Sequence, residues 1–262
     1  MKKIFAAAAL SALVATAVYA GTTPGTGVID SPHDMNAVTG LTADNQGRVC
    51  AFCHTPHHAV DLAGQYNPLW SHQPTTMAAV TPYASATFDA GNIGMVDPLL
   101  GPSRLCMSCH DGAIAPDQHY GSANVAPTGR FASDDFAGYP SAVKNIAVGL
   151  GGNFGNDHPI GFNIIDSSTD NGIFADVPTT RGWLLAGVES TKLISAGLFQ
   201  PDPNDANVKI MTCATCHDVH NKDNVANTGA TGVAGHTDAV NLNYFVFSPQ
   251  SGSQLCLSCH DK

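Results

Sequence analysis

The stretch that decides the fold is Cys50-Ala51-Phe52-Cys53-His54, in which two cysteines three positions apart are followed directly by a histidine. The same Cys-x-x-Cys-His pattern occurs three more times, and together the copies use all 8 cysteines of the chain. The other copies are Cys106-Met107-Ser108-Cys109-His110, Cys213-Ala214-Thr215-Cys216-His217 and Cys256-Leu257-Ser258-Cys259-His260. Because every cysteine of the chain belongs to a copy of this pattern, the sequence predicts one kind of site that is repeated four times.

This pattern is the attachment signature of c-type haem, because two thiols at this spacing reach the two vinyl groups of one porphyrin. The next residue of each motif is then the proximal ligand of the iron. Structural zinc would need paired Cys-x-x-Cys knuckles roughly 15–20 residues apart, and these motifs lie much further apart. A disulfide scaffold gives no reason for a histidine after every second cysteine. We therefore expect four covalent haems with His54, His110, His217 and His260 as proximal ligands.

The 12 histidines exceed the four motif positions, so bis-histidine iron is favoured over methionine as the second axial ligand. The unit His…CxxCHxxH…CxxCH occurs twice, and such internal repeats indicate related halves. From this repeat we predict His33 and His158 as distal ligands of the first and third haems, and His57 and His220 as distal ligands of the second and fourth. Other possible distal ligands are His58, His72, His119 and His236.

The N-terminus resembles an export signal, with Lys2 and Lys3 before an apolar stretch and Ala20 at the predicted cleavage site. No other segment is long and apolar enough to span a membrane. The expected organisation is a signal peptide over residues 1–20 and one tetrahaem domain over residues 21–262. We call residues 21–130 the first half, and residues 131–262, which hold an insert and the second haem pair, the second half.

The composition predicts a mostly irregular fold with short helices around the haem motifs and little strand, organised by the haem chain. Charged residues make up 12% of the chain, and it contains 26 glycines and 16 prolines, which favour turns over long surface helices. The longest predicted helix covers residues 183–199. A net charge of −10 argues against nucleic acid as a partner.

The doubled motifs, with Cys-His-Thr-Pro-His at Cys53–His57 and Cys-His-Asp-Val-His at Cys216–His220, resemble the multihaem c-type cytochromes of metal-reducing bacteria. The haem count and length are most similar to OmcE-type tetrahaem filament subunits. The resemblance implies an extracellular or cell-surface electron conduit that polymerises head to tail, with an axial histidine crossing between subunits. Other c-type cytochromes would be its electron donors and extracellular compounds its acceptors.

Two other functions stay open at the level of sequence. One is a periplasmic electron shuttle that never polymerises, and the other is a multihaem reductase. A reductase would need an iron with an open distal site, whereas the surplus of histidines and the scarcity of basic residues favour an electron-transfer protein without enzymatic activity.

Overall fold

The computed structural model describes a set of segments that includes all four motifs. They are residues 28–29, 33–38, 40–61, 66–75, 77, 80–88, 97–112, 116–117, 119, 146–167, 172–177, 181–182, 193–220, 245–248 and 251–261. The predicted signal peptide, His236 and most of the predicted helix at 183–199 lie outside the described residues.

The helices of these segments are short and follow the haem motifs. The α-helices are α1 (Pro102–His110), α2 (Ile164–Ser167), α3 (Cys213–Cys216) and α4 (Gln254–Leu257), and the 3₁₀ helices are Val49–Phe52, Leu150–Gly152, Ile194–Gly197 and Ser251–Ser253. Three motifs thus coincide with α1, α3 and α4, and the first begins on the 3₁₀ helix Val49–Phe52. Turns and isolated β-bridges connect them.

The described part of the predicted insert helix differs from the expectation, because only Ile194–Gly197 is helical there, as one 3₁₀ turn. Gly197 packs tightly against the third motif: a Cβ on it would lie 3.1 Å from the carbonyl oxygen of Thr215. A glycine also weakens a longer helix at this position. Among the described residues, no helix is long and apolar enough to cross a membrane.

The longest helix, α1, begins where two residues fix its start. Pro102 occupies the first turn, where the missing N–H costs nothing. Gly101 before it has φ 59°, and a Cβ there would lie 2.8 Å from the ring of Phe199. These constraints set the position of the second motif, which forms the last turns of α1.

Apolar clusters hold the motifs in pairs. The largest consists of Phe162, Ile164, Val177, Ile194, Leu198 and Met211, and the cysteines Cys216 and Cys259 pack against it. A smaller cluster of Trp70 and Leu105 packs against Cys53. The cores therefore lie next to the attachment cysteines, where a large apolar group would extend them.

Candidate functional site: four haem-attachment motifs

Each motif forms a tight turn that places its two thiols near its histidine. The amide of the motif histidine donates to the carbonyl oxygen of the first cysteine in three motifs, His54 to Cys50, His217 to Cys213 and His260 to Cys256, at 2.8, 3.1 and 2.9 Å. In the second motif the same residues lie in helix α1. This turn brings two cysteines and one histidine together at each motif.

The motifs lie next to one another in the order in which they occur along the chain. The thiols of Cys106 and Cys213 are hydrogen-bonded, which raises the pKa of Cys106. The backbone amide of Cys213 also donates to Ser103 Oγ on helix α1 at 3.1 Å. The second and third motifs are therefore in direct contact.

The two remaining pairs of consecutive motifs, the first with the second and the third with the fourth, are also neighbours in space. Burial, and then the charge of Cys109, raises the pKa of Cys53 to about 12. Burial, and then the charge of Cys259, raises the pKa of Cys216 to about 12. These charge interactions between cysteines mean that the first motif lies near the second and the third near the fourth.

Trp70 contacts both the first motif and the second. The spacing of the motifs in the sequence does not predict this role. Its backbone forms a β-bridge with His54, and its indole Nε1–H donates to Ser108 Oγ at 3.1 Å. The ring lies perpendicular to that of His54 with centres 6.2 Å apart. Since Ser108 lies between the two cysteines of the second motif, one side chain contacts both attachment turns.

Three histidine pairs have the spacing of axial ligands on a shared iron. A coordinating ring nitrogen lies about 2 Å from a metal and the ring centre roughly 1 Å further out, so two rings on opposite faces of one iron have centres about 6 Å apart. The observed pairs are His33 with His110 at 6.0 Å, His54 with His220 at 6.1 Å, and His158 with His260 at 6.4 Å. Each pair joins a motif histidine to one of the predicted distal ligands.

Backbone carbonyls orient three of these rings. The Nδ1 atoms of His54, His110 and His158 lie 2.7, 2.8 and 3.0 Å from the carbonyl oxygens of Pro68, Ile146 and Pro159. A carbonyl oxygen can only accept, so each Nδ1 carries the proton and Nε2 keeps a lone pair for a metal. Such a bond is the usual support of a histidine ligand.

Burial favours the neutral form of three of the paired histidines, His33, His110 and His158. Burial, and then the charge on neighbouring histidines, lowers the pKa of His33 to about 3. Burial is also the main cause that lowers the pKa of His110 and of His158. Neutral imidazole is the form that binds a metal.

The pairing differs from the one expected from the repeat. The repeat assigned His33 to the first haem, His158 to the third and His220 to the fourth, whereas the structure places them beside the second, fourth and first motifs. Packing within each half brings His33 and His158 to the second motif of that half, and packing between the halves brings His220 to the first motif. His220 lies only three residues after His217, yet it faces the first motif.

The remaining histidines occupy different surroundings. His57 and His58 are exposed, and His58 has φ 61°. His72 is fully buried with Nδ1 donating to Gln73 at 3.0 Å. His119 is buried with Nε2 2.9 Å from Asp44 Oδ1, so this nitrogen is already engaged.

The third motif borders a cleft of about 520 Å³, which lies within the usual size range of a ligand pocket. His217 and Ala214 of the motif line it, together with Leu198, Phe199 and Phe247. A motif histidine, apolar walls and this volume are what a porphyrin face requires.

No model of a known protein family matches this sequence, and a search of curated proteins finds no match. Among the described residues, no group of three or more His, Cys, Asp or Glu side chains is arranged to hold a bare metal ion. The geometry of the motifs and of the paired histidines therefore supplies the argument for function.

Proposed function

We propose that this protein is an exported tetrahaem c-type cytochrome that conducts electrons. The observation that carries the proposal is the set of three histidine pairs with ring centres 6.0–6.4 Å apart, each pair including the histidine of a Cys-x-x-Cys-His motif. The haem irons would supply one-electron chemistry, and the chain would supply attachment, ligation and spacing.

The residues present fit four haems. The cysteines of each motif would form the thioethers, and the motif histidines would bind the proximal faces. On the distal faces, His220 would serve the first haem, His33 the second and His158 the fourth. Consecutive motifs lie next to one another, so an electron would cross only short gaps between neighbouring haems.

In an electron-transfer protein both axial positions of each haem iron can be occupied by protein ligands. A reductase needs an iron with one axial position open to substrate. Histidines on both faces leave no site for a substrate on the iron, and they stabilise low-spin haem. We therefore propose an electron-transfer role without catalysis, with other c-type cytochromes as donors and extracellular compounds as acceptors.

The repeat suggests how the third haem would gain its distal ligand. In both halves, the histidine beside a proline faces the second motif of the same half, as His33 faces His110 and His158 faces His260. The HxxH histidine of the second half, His220, faces the first motif of the other half. Its counterpart in the first half is His57, three residues after His54.

By the same relation, His57 would face the first motif of a second half, which is the motif of His217. We propose that this second half belongs to the next subunit, because His220 has the motif histidine His54 opposite it, whereas no described residue of the chain plays this part for His57. A contact of this kind joins two different surfaces and does not close on itself, so repeating it gives an open filament. His58 is the alternative ligand, and the burial of His33 beside His110 argues against His33 in this role.

The mass of the denatured protein tests the haem assignment. The mature chain should carry the mass of four haems, and peptide mapping should find one on each motif. Reduced protein should also show little spectral change with carbon monoxide once assembled. Fewer than four haems from a host competent in cytochrome maturation, or rapid stoichiometric binding of carbon monoxide in the filament, would contradict the proposal.

A further inference from the structure

One arginine contacts the fourth motif in a way that the other motifs do not share. Arg181 Nε and Nη2 donate to the backbone carbonyls of Ser258 and Leu257, both at 3.0 Å. These are the two residues between Cys256 and Cys259, so the guanidinium is held on the attachment turn itself.

The surrounding chain fixes this position. Arg181 Cζ lies 3.5 Å from the centre of the Phe174 ring, and the amide of Phe174 donates to the carbonyl of Cys259 at 2.9 Å. Ile173 forms a β-bridge with His260. The cation therefore keeps a constant distance from the site of the fourth haem.

The charge of Arg181 is not neutralised by a carboxylate among the described residues, whereas two other arginines near motifs are paired. Arg48, before the first motif, binds Asp44 at 2.7 Å. Arg104, in the helix of the second motif, binds Asp97 at 3.0 Å. The first two motifs thus have a cation paired with a carboxylate nearby, whereas no described carboxylate is paired with the cation at the fourth motif.

We propose that Arg181 raises the reduction potential of the haem on the fourth motif. The inference rests on the proposed function. A ferric haem carries one positive charge more than a ferrous haem, so a fixed cation disfavours the oxidised form. In the transfer, a ferrous iron on a preceding motif loses one electron and the ferric iron on the fourth motif gains it; no bond or proton moves.

The expected size follows from Coulomb's law. At about 10 Å and an effective dielectric constant of roughly 20, one charge changes the equilibrium by about tenfold. For a one-electron couple, a tenfold change corresponds to about 59 mV. Such a shift is measurable in a redox titration of the holoprotein.

The test compares charge removal with charge retention. Arg181→Gln should lower one of four potentials by about 59 mV, whereas Arg181→Lys should leave it near that of the wild type. Arg104→Gln is the control for position, because it removes an equal charge beside the second motif and should lower a different component. Asp261→Asn identifies the haem, because Asp261 is exposed and adjoins His260, and its loss should raise the same component by a smaller amount.

The outcomes that would overturn the inference about Arg181 differ from the outcome that would overturn the proposed function. Equal shifts in Arg181→Gln and Arg181→Lys, no shift, or a uniform shift of all four haems would overturn it. Failure of Arg181→Gln to take up the fourth haem would also count against it, by showing a structural role instead. If wild-type peptides containing Cys256 and Cys259 carry no haem, the proposed function itself fails.

Discussion

The two halves of the chain contain the same sequence unit, yet they place one of its histidines differently. In the second half, the HxxH histidine His220 lies opposite His54 of the first half. In the first half, no motif histidine lies opposite the corresponding His57 among the described residues, although His57 and His220 are both exposed. The difference teaches that a repeat can be complete in sequence and still give only one of two equivalent histidines a motif histidine within the chain, which leaves the other for the neighbouring subunit that we propose.

The largest expected effect comes from replacing His57. His57→Ala should abolish filaments and leave soluble subunits whose third haem is high-spin, because the ligand that we propose to cross between subunits is lost. Electron microscopy and the absorption spectrum measure both results. His58→Ala is the matched control and should still polymerise. Filaments with unchanged low-spin spectra from both single variants and from the double variant His57→Ala/His58→Ala would show that ligation across the interface is wrong.

A second prediction concerns His33 and His158, which in both halves lie opposite the histidine of the second motif of that half. His33→Ala and His158→Ala should each convert a single haem to the high-spin form, on the second and fourth motifs respectively, because each ring lies opposite a different motif histidine. Each variant, reduced, should bind one additional equivalent of carbon monoxide. Binding by both variants at the same haem, or by neither, would contradict the pairing.

The smallest effect concerns a buried carboxylate found in the first half. Hydrogen bonds from Arg48, and further ones from His119 and Gln46, hold the pKa of Asp44 well below its usual range. A lowered pKa stabilises the fold above the unfolded value, near 4, and this stability is lost as the pH falls through the folded pKa.

Asp44→Asn should therefore lower the melting temperature by several degrees at pH 7, and the gap to the wild type should narrow in acid. Thermal melts followed by absorption from pH 7 to pH 3 measure it. A gap that stays constant down to pH 3 would mean that the charge of Asp44 does not contribute.

The sequence predicts the attachment residues because covalent attachment to one porphyrin demands a fixed local spacing of two cysteines. It does not reveal which distal histidine meets which motif. His33 and His54 are close along the chain, but His33 faces His110 because tertiary packing, and not chain distance, decides the pair. Arg181 could not be predicted either: its carbonyl partners are 76 and 77 residues away, and backbone acceptors leave no trace in a residue pattern.

The folded chain partly covers most of its own thiols, and this has a consequence for biosynthesis. Cys50 and Cys256 are exposed, whereas the six other cysteines are partly covered; Cys106 and Cys213 are in contact. An enzyme that attaches a porphyrin needs access to both thiols of a motif, so we expect loading to precede the closure of the chain. Pulse-labelled intermediates should then be protease-sensitive until the second and third motifs are filled, and folding would act as the step that ends maturation.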